Sequence, residues 1–478
     1  LVLNNKKRQF CILVATFLFS QLAVGQSVFF TKAIGGQGVQ VGQSVCQFAD
    51  SSLYILGYSQ NPGFADYDFS LTKTDQFGGV IWTKFFVNSG NDLGLGMTKT
   101  KDGNLLLIGT TEIALQQNST DALLIKVDTS GNELWRHTYG TPGNEQAKYV
   151  EELANGNIIF SGFAPDIFGS IDGYYVMTDS LGIEKWTSLS GGASVDLCDR
   201  VISISPDTLA AILTTTEFGN SDVRLTLLDS SGTIIFDTIN EDPFQTGCQG
   251  IIRSSNNELI VFGEREISAF SPFDFFMESY TTAGSFNWRK TFGGSGTDAL
   301  FDMVEDSNGN FIGAGYSNSG SSGVNPINVA VVKTAANGSL IWSKEYGNNS
   351  IDIAYAIIPS LLGGYYLVGK TLLLDDDIYL LHVDANGEIT ALEENTIHKQ
   401  ILVSPNPADS YLNIPPFVQF DNLSIFDLTG RVVLSFYSKG DLDRRINTET
   451  LPDGAYFLQL THGQLKGICQ KVIIKHSK

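Results

Sequence analysis

The chain has 478 residues, 49 of them glycine, and a formal net charge of −21 with only 17% charged residues. The length exceeds one small domain, and abundant glycine with many aromatics suits short strands joined by tight turns. The acidity argues against a nucleic-acid partner, because affinity for a phosphate backbone needs clustered Lys and Arg.

Residues 1–25 differ from the rest. Lys6, Lys7 and Arg8 form a basic start, residues 10–19 an apolar core, and Ala23, Val24 and Gly25 a small-residue cleavage site. That order predicts a secretory signal peptide whose core is too short to span a membrane. Cys11 lies inside the core, away from a lipoprotein cleavage point. No transmembrane segment is expected elsewhere.

From residue 26 to 391 one phrase recurs at a period of about fifty residues, in the range of propeller blades. Its clearest copy is DALLIKVDTSGNELWRHTYG at 121–140. An aspartate opens an apolar run, a turn follows Asp128, and the chain leaves through Trp135. Asp68, Asp172, Asp222, Asp274, Asn328 and Asp377 open the other copies. A second phrase lies between them, as in EDSNGNFIGAGYS at 305–317. Each repeat reads as four strands, in one copy near 300–304, 310–315, 328–334 and 340–346. Asn308-Gly309 and Asn337-Gly338 supply hairpin turns, since both residue types tolerate positive φ. Glycine punctuates every segment, which excludes helices.

Seven repeats are counted. Trp82, Trp135, Trp186, Phe236, Trp288 and Trp342 mark the outer strands, and the seventh repeat has Ala391 instead. Residues 30–36, FTKAIGG, match 288–294, WRKTFGG. The N-terminal segment is therefore expected to complete the last blade and close the ring. DALLIKVD at 121–128 and GGSGTD at 293–298 resemble the bacterial β-propeller repeat of exported proteins. That resemblance implies fold and little about function.

Residues 392–399 read as a linker and 400–478 as a small β-sandwich. ILVSPNP at 401–407, SIFDLTGRVV at 424–433, LPDGAYFL at 451–458 and QKVIIK at 470–475 follow in order. They strongly resemble the type A C-terminal sorting domain of the Bacteroidetes type IX secretion system. The resemblance implies export through the periplasm to the outer surface or medium, with the secretion machinery as a partner and the domain commonly removed. The expected architecture is all-β: a seven-bladed propeller followed by that sandwich.

Chemistry is poorly signalled. His137 and His382 occupy unrelated repeat positions, and no nucleophile elbow, zinc motif or phosphate loop is present. Cys198 and Cys248 share a repeat slot that elsewhere holds small or apolar residues, so a small buried residue and a disulfide between blades both stay open.

Asp92, Glu145, Asp196, Asp298 and Asp352 fall at one repeat position before the first strand, with Gln40 and Thr246 breaking the series. They could form a partial acidic ring at the channel mouth, binding a cation such as Ca²⁺ or a cationic ligand. Alternatively each caps its own turn by accepting backbone N–H bonds, which regular recurrence favours. The outer-strand tryptophans fit inter-blade packing better than sugar stacking. Irregular loops at 60–67, 114–120, 164–171 and 316–326 are the expected binding face for a glycan or protein ligand. The functional expectation is an exported binding module. A hydrolase or lyase of polysaccharide or protein, and a structural or adhesive protein, are the alternatives.

Overall fold

The computed structural model describes residues 29–389 and 407–476, apart from 37, 61–65, 87–89, 114–118, 141–142, 321–325, 348–349, 373–374, 415–421, 428–430, 438–444 and 463–464. The expected leader and linker lie outside the described residues, as do parts of three of the four candidate loops. Every described element is a strand.

Seven four-stranded antiparallel sheets follow one another, termed blades I to VII. Blade VI shows how the repeat builds one. Its strands are Asp298–Glu305, Phe311–Ser317, Asn328–Thr334 and Leu340–Tyr346, from inner to outer. The second and third strands are apolar almost throughout and buried on both faces, because each blade is packed between two others. The outer strand alternates exposed and half-buried residues, as one covered face requires. Inner strands of successive blades touch, and the inner strand of blade VII, Asp352–Pro359, touches that of blade I, Gln40–Gln47. The sheets thus close a ring around a central channel.

Closure comes from the N-terminal segment. Phe30–Ile34 pairs antiparallel with Asp376–Val383 as the outer strand of blade VII, from Phe30 opposite His382 to Ile34 opposite Ile378. His382 is fully buried there, stacked on Tyr366 at 4.0 Å, with Nε2 3.0 Å from the Gly363 carbonyl. This is the closure that the match between 30–36 and 288–294 predicts. It leaves no blade with an unpaired third strand.

The outer-strand aromatics pack between blades. Gly338, at φ 75°, lies so near Trp288 of the preceding blade that a Cβ there would sit 2.6 Å from the indole. Trp82 and Gly131, Trp135 and Gly182, Trp186 and Gly232, Phe236 and Gly284, and Trp342 and Gly387 repeat the pairing. One glycine serves both demands, positive φ in the turn and room for the ring. Cys46, Cys198 and Cys248 are free thiols, the last two buried in adjacent inner strands. Burial pushes the Cys198 thiol up to about 12, as an inert core residue should behave.

The C-terminal module has a two-stranded and a four-stranded sheet. Leu412 and Ile446 from the first meet Leu423, Ile425, Leu458 and Ile474 from the second in one apolar core. The turn of the LPDGAYFL motif is fastened by Tyr456 Oη, which donates to the Pro452 carbonyl at 2.8 Å.

Candidate functional site

The five acids of the repeated column lie at the start of the inner strands, all at most 1% exposed: Asp92, Glu145, Asp196, Asp298 and Asp352. They sit at the seams between blades. The backbone shows why: the Glu145, Thr246 and Asp352 N–H groups donate to Thr120, Ser221 and Ile327 carbonyls of the preceding blade, at 2.7–2.8 Å. Each acid therefore faces the residue that opens the preceding blade's third strand, an aspartate or, opposite Asp352, Asn328. Asp298 Oδ2 accepts from Gly294 N–H at 2.9 Å and from Ser319 Oγ at 2.9 Å. Asp196 Oδ2 accepts from Gly192 N–H at 3.1 Å, and Gln40 Oε1 from Gly36 N–H at 2.9 Å. Glutamine performs the same capping as the acids, which is the turn-capping geometry.

A glycine holds five of the seven seams tight: Gly35, Gly140, Gly191, Gly293 and Gly347. A Cβ added at Gly293 would lie 2.6 Å from Asp298 Oδ2 and nearer still to Asp274 Oδ1. Two carboxyls thus crowd one glycine. Burial, then the Asp298 charge, raises the Asp274 carboxyl to about 6. Burial, then Asp166 and Asp196, does the same to Asp172, and burial with Glu241 to Asp222.

The break at Thr246 is compensated. Asp242, buried at the turn before it, accepts from Arg265 Nε and Nη2 at 2.9 and 2.8 Å. Arg289 joins both Asp242 and the buried Glu278, which also accepts from Tyr280. Among the described residues, no group of three or more His, Cys, Asp or Glu side chains is placed to hold a metal ion.

A second constellation escaped the sequence reading. Every inner strand carries a bulge one residue past the small-residue slot, in blade III between Ala147 and Tyr149 and in blade VI between Leu300 and Asp302. A bulge leaves one residue unpaired and re-aims its side chain. The bulged residues are Gln43, Leu95, Lys148, Asp199, Gln249, Phe301 and Tyr355, all half-buried. Neighbours meet around the channel: Lys148 Nζ is 2.5 Å from Asp199 Oδ1, and the Phe301 and Tyr355 rings are 5.3 Å apart. One residue on, Arg200 of blade IV passes blade V and pairs with Asp302 of blade VI at 2.9 Å. Gly250 of blade V makes the room, since its added Cβ would lie 3.4 Å from Arg200 Cζ. Asp302 Oδ2 also accepts from Ile357 N–H of blade VII at 2.9 Å.

The end of the second strand adds a further layer at the same end of the channel. Tyr58, Phe163 and Tyr316 are aromatic there, Glu264 and Lys370 charged, Thr110 and Thr214 small and polar. Blades VI, VII and I thus build an aromatic wall: Phe301 is 5.8 Å from Tyr316, and Tyr58 is 5.5 Å from Tyr67 in an edge contact. An open pocket of about 400 Å³ lies against it, lined by Val39, Tyr58, Tyr67, Asn91, Leu93 and Asp376. Blades III to V, and the Lys370–Asp376 pair of blade VII, supply ionic groups. Asp376 is paired with Lys370 at 3.0 Å and Asp199 with Lys148. Glu264 forms no ion pair among the described residues; burial, then the Asp199 charge, pushes its carboxyl up to about 7.

Of the candidate loops, 164–171 is fully described. Asp166 Oδ1 accepts from Phe168 and Ser170 N–H, both at 2.8 Å, and the turn leaves Ile167 and Phe168 92% and 89% exposed. The equivalent turns of blades IV and V expose Phe218 and Phe270, the latter 96% exposed at φ 60°. A positive φ is uncommon for a bulky residue. In the other loops, 61–65, 114–118 and 321–325 lie outside the described residues.

Residues 402–475 match the secretion system C-terminal sorting domain family. No curated protein gives a significant match. Among solved structures, the chain is similar to PorZ of Porphyromonas gingivalis, described as an essential bacterial surface component of the type IX secretion system, at 12% identity and TM-score 0.39 over 89% of this chain and 69% of that one. It is also similar to a Bacteroides caccae protein of unknown function, at 11% identity and TM-score 0.38 over 61% and 93%. The WD40 domain of Neurospora crassa Pan2 matches at 10% identity and TM-score 0.46 over 72% and 89%. The chain is a seven-bladed β-propeller that ends in a type IX secretion C-terminal sorting domain.

Proposed function

We propose that this protein is an exported binding module whose ligand seats at the channel mouth. The observation that supports this reading is asymmetry. Positions that maintain the fold repeat from blade to blade, as the seam carboxyls and outer aromatics do. At the mouth, no two blades carry the same combination of bulged residue and second-strand neighbour. A scaffold gains nothing from such variation, whereas one ligand with several kinds of surface does. The sorting domain supports delivery to the outer surface or medium.

Two experiments test this. A screen of the mature chain against glycan and peptide arrays should give hits that Tyr316→Ala weakens. Hits indifferent to mouth substitutions would place the binding face elsewhere. Truncation after about residue 392 should leave a folded propeller in the periplasm; normal amounts in the medium would contradict the export route. A polysaccharide hydrolase or lyase is the second reading. It is favoured by Glu264, whose carboxyl is raised to about 7 by burial and the Asp199 charge, in the range that suits a general acid. Turnover of an arrayed glycan, lost in Glu264→Gln with binding kept, would select it.

A further inference from the structure

Three features of the mouth bear on which ligand it takes, and the inference rests on the reading of the mouth as the binding site. The first is charge. Residues 400–478 carry eight Lys and Arg against seven Asp and Glu, so all of the chain's negative excess lies before residue 400. A channel mouth on such a ring concentrates cations from solution. The second is local pairing. Lys148 and Lys370 already neutralise Asp199 and Asp376, whereas Glu264 faces the mouth with no ion pair among the described residues. Its surroundings are Gly247 of its own blade, Asp199 of blade IV and Tyr316 of blade VI. Burial, then the Asp199 charge, raises its carboxyl, and a cation seated beside it would favour the ionised form. Tyrosine and phenylalanine faces beside it, at Tyr316 and Phe301, suit a cation that has shed its water.

The third is the rim. The blade III, IV and V turns at this end expose Phe168, Phe218 and Phe270. In blades III and IV the phenylalanine precedes a positive-φ glycine, at 87° and 94°, which fixes the turn that displays it. Three exposed phenylalanine rings on neighbouring turns offer apolar contact to the side chains of a bound peptide.

We propose that the mouth recognises a polypeptide, with a lysine or arginine side chain inserted between Glu264 and the Phe301–Tyr316 aromatic pair and apolar neighbours lying over the Phe168, Phe218 and Phe270 turns. The anchor is a charge-assisted pair, and the apolar tips set the flanking preference.

The test uses the mature full chain and an immobilised library of end-blocked hexapeptides. The expected selection is Lys or Arg at one position with apolar residues beside it. Titration of the selected peptide should show about tenfold or greater weakening with Glu264→Gln. The paired change Phe168→Ser with Phe270→Ser should keep the basic preference and lose the apolar one. Tyr316→Ala gives a second mouth variant should Glu264→Gln fail to fold. Selected peptides without a basic residue, or affinities unchanged in Glu264→Gln and Tyr316→Ala, overturn the proposal. Hits confined to glycans and weakened by Tyr316→Ala would also overturn it while leaving the mouth as the binding site. No hit on either array counts against both.

Discussion

The seams and the mouth both gather charged residues near the same end of the ring, yet they obey opposite rules. At five of the seven seams the same pair recurs: an acid or amide opening a third strand faces one opening the next inner strand across a glycine. Even exceptions are balanced, as Asp242 with Arg265 and Arg289 replaces what Thr246 lacks. At the mouth equivalent positions carry different chemistry, as Lys148, Asp199, Phe301 and Tyr355 do at one position and Glu264 and Tyr316 at another. In a repeat protein, repetition marks what the fold needs, and departure from it marks what the fold does not explain.

That contrast breaks most visibly where the fold depends on a repeated element. Deletion of residues 29–36 removes the outer strand of blade VII and exposes the edge of Asp376–Val383. It should cost on the order of a domain's whole stability, giving an unfolded or aggregating chain in thermal denaturation. An unchanged melting temperature would refute closure by this strand. Next in size is Gly293→Ala, whose new Cβ collides with two carboxylates. A loss of about 2 kcal/mol or more is expected in denaturant titration, with little loss for the same change at the open Gly36, which has nothing within contact distance.

The seam carboxyls should also give the propeller an inverted pH response. Asp172, Asp222 and Asp274 sit near 6 in the fold, above the usual carboxylate value of 3.8. A raised folded-state value favours the protonated form. The associated stability is fully present below about pH 3.8 and is lost as pH rises through about 6. Melting temperature should therefore rise between pH 7.5 and 5. Asp274→Asn, the residue that blade VI has as Asn328, should gain about 1 kcal/mol at pH 7.5 and flatten that slope. A slope unchanged by the substitution would remove the seam as its source. The smallest effect belongs to Asp298→Asn. Asparagine caps about as well as aspartate, so calorimetry with calcium or with chelator should give the same curve for both proteins. A calcium-dependent rise lost in the variant would restore the cation-site reading.

Much of the architecture was legible because the repeat is written in turn chemistry and aromatics. Asn308-Gly309 marks a hairpin, Trp342 an outer strand, and FTKAIGG at 30–36 the missing one. The acid column was legible as a column but not as a seam. Its orientation depends on N–H bonds from one blade to the preceding one, such as Glu145 to Thr120, which link positions 25 residues apart. The mouth was missed because comparing repeats draws attention to what agrees. The signal was one residue beyond the small-residue slot, where Lys148, Asp199, Phe301 and Tyr355 disagree. That this residue is bulged cannot be read from spacing, since all seven repeats contain it.

The central claim is that the mouth serves a ligand and the seams serve the fold. Parallel measurement of melting temperature and ligand affinity in Glu264→Gln and Gly293→Ala tests it most directly. The account predicts a double dissociation: Glu264→Gln within about 1 kcal/mol of the parent in stability but at least tenfold weaker in binding, and Gly293→Ala clearly less stable but binding normally while folded. Loss of stability in Glu264→Gln with affinity unchanged would contradict it.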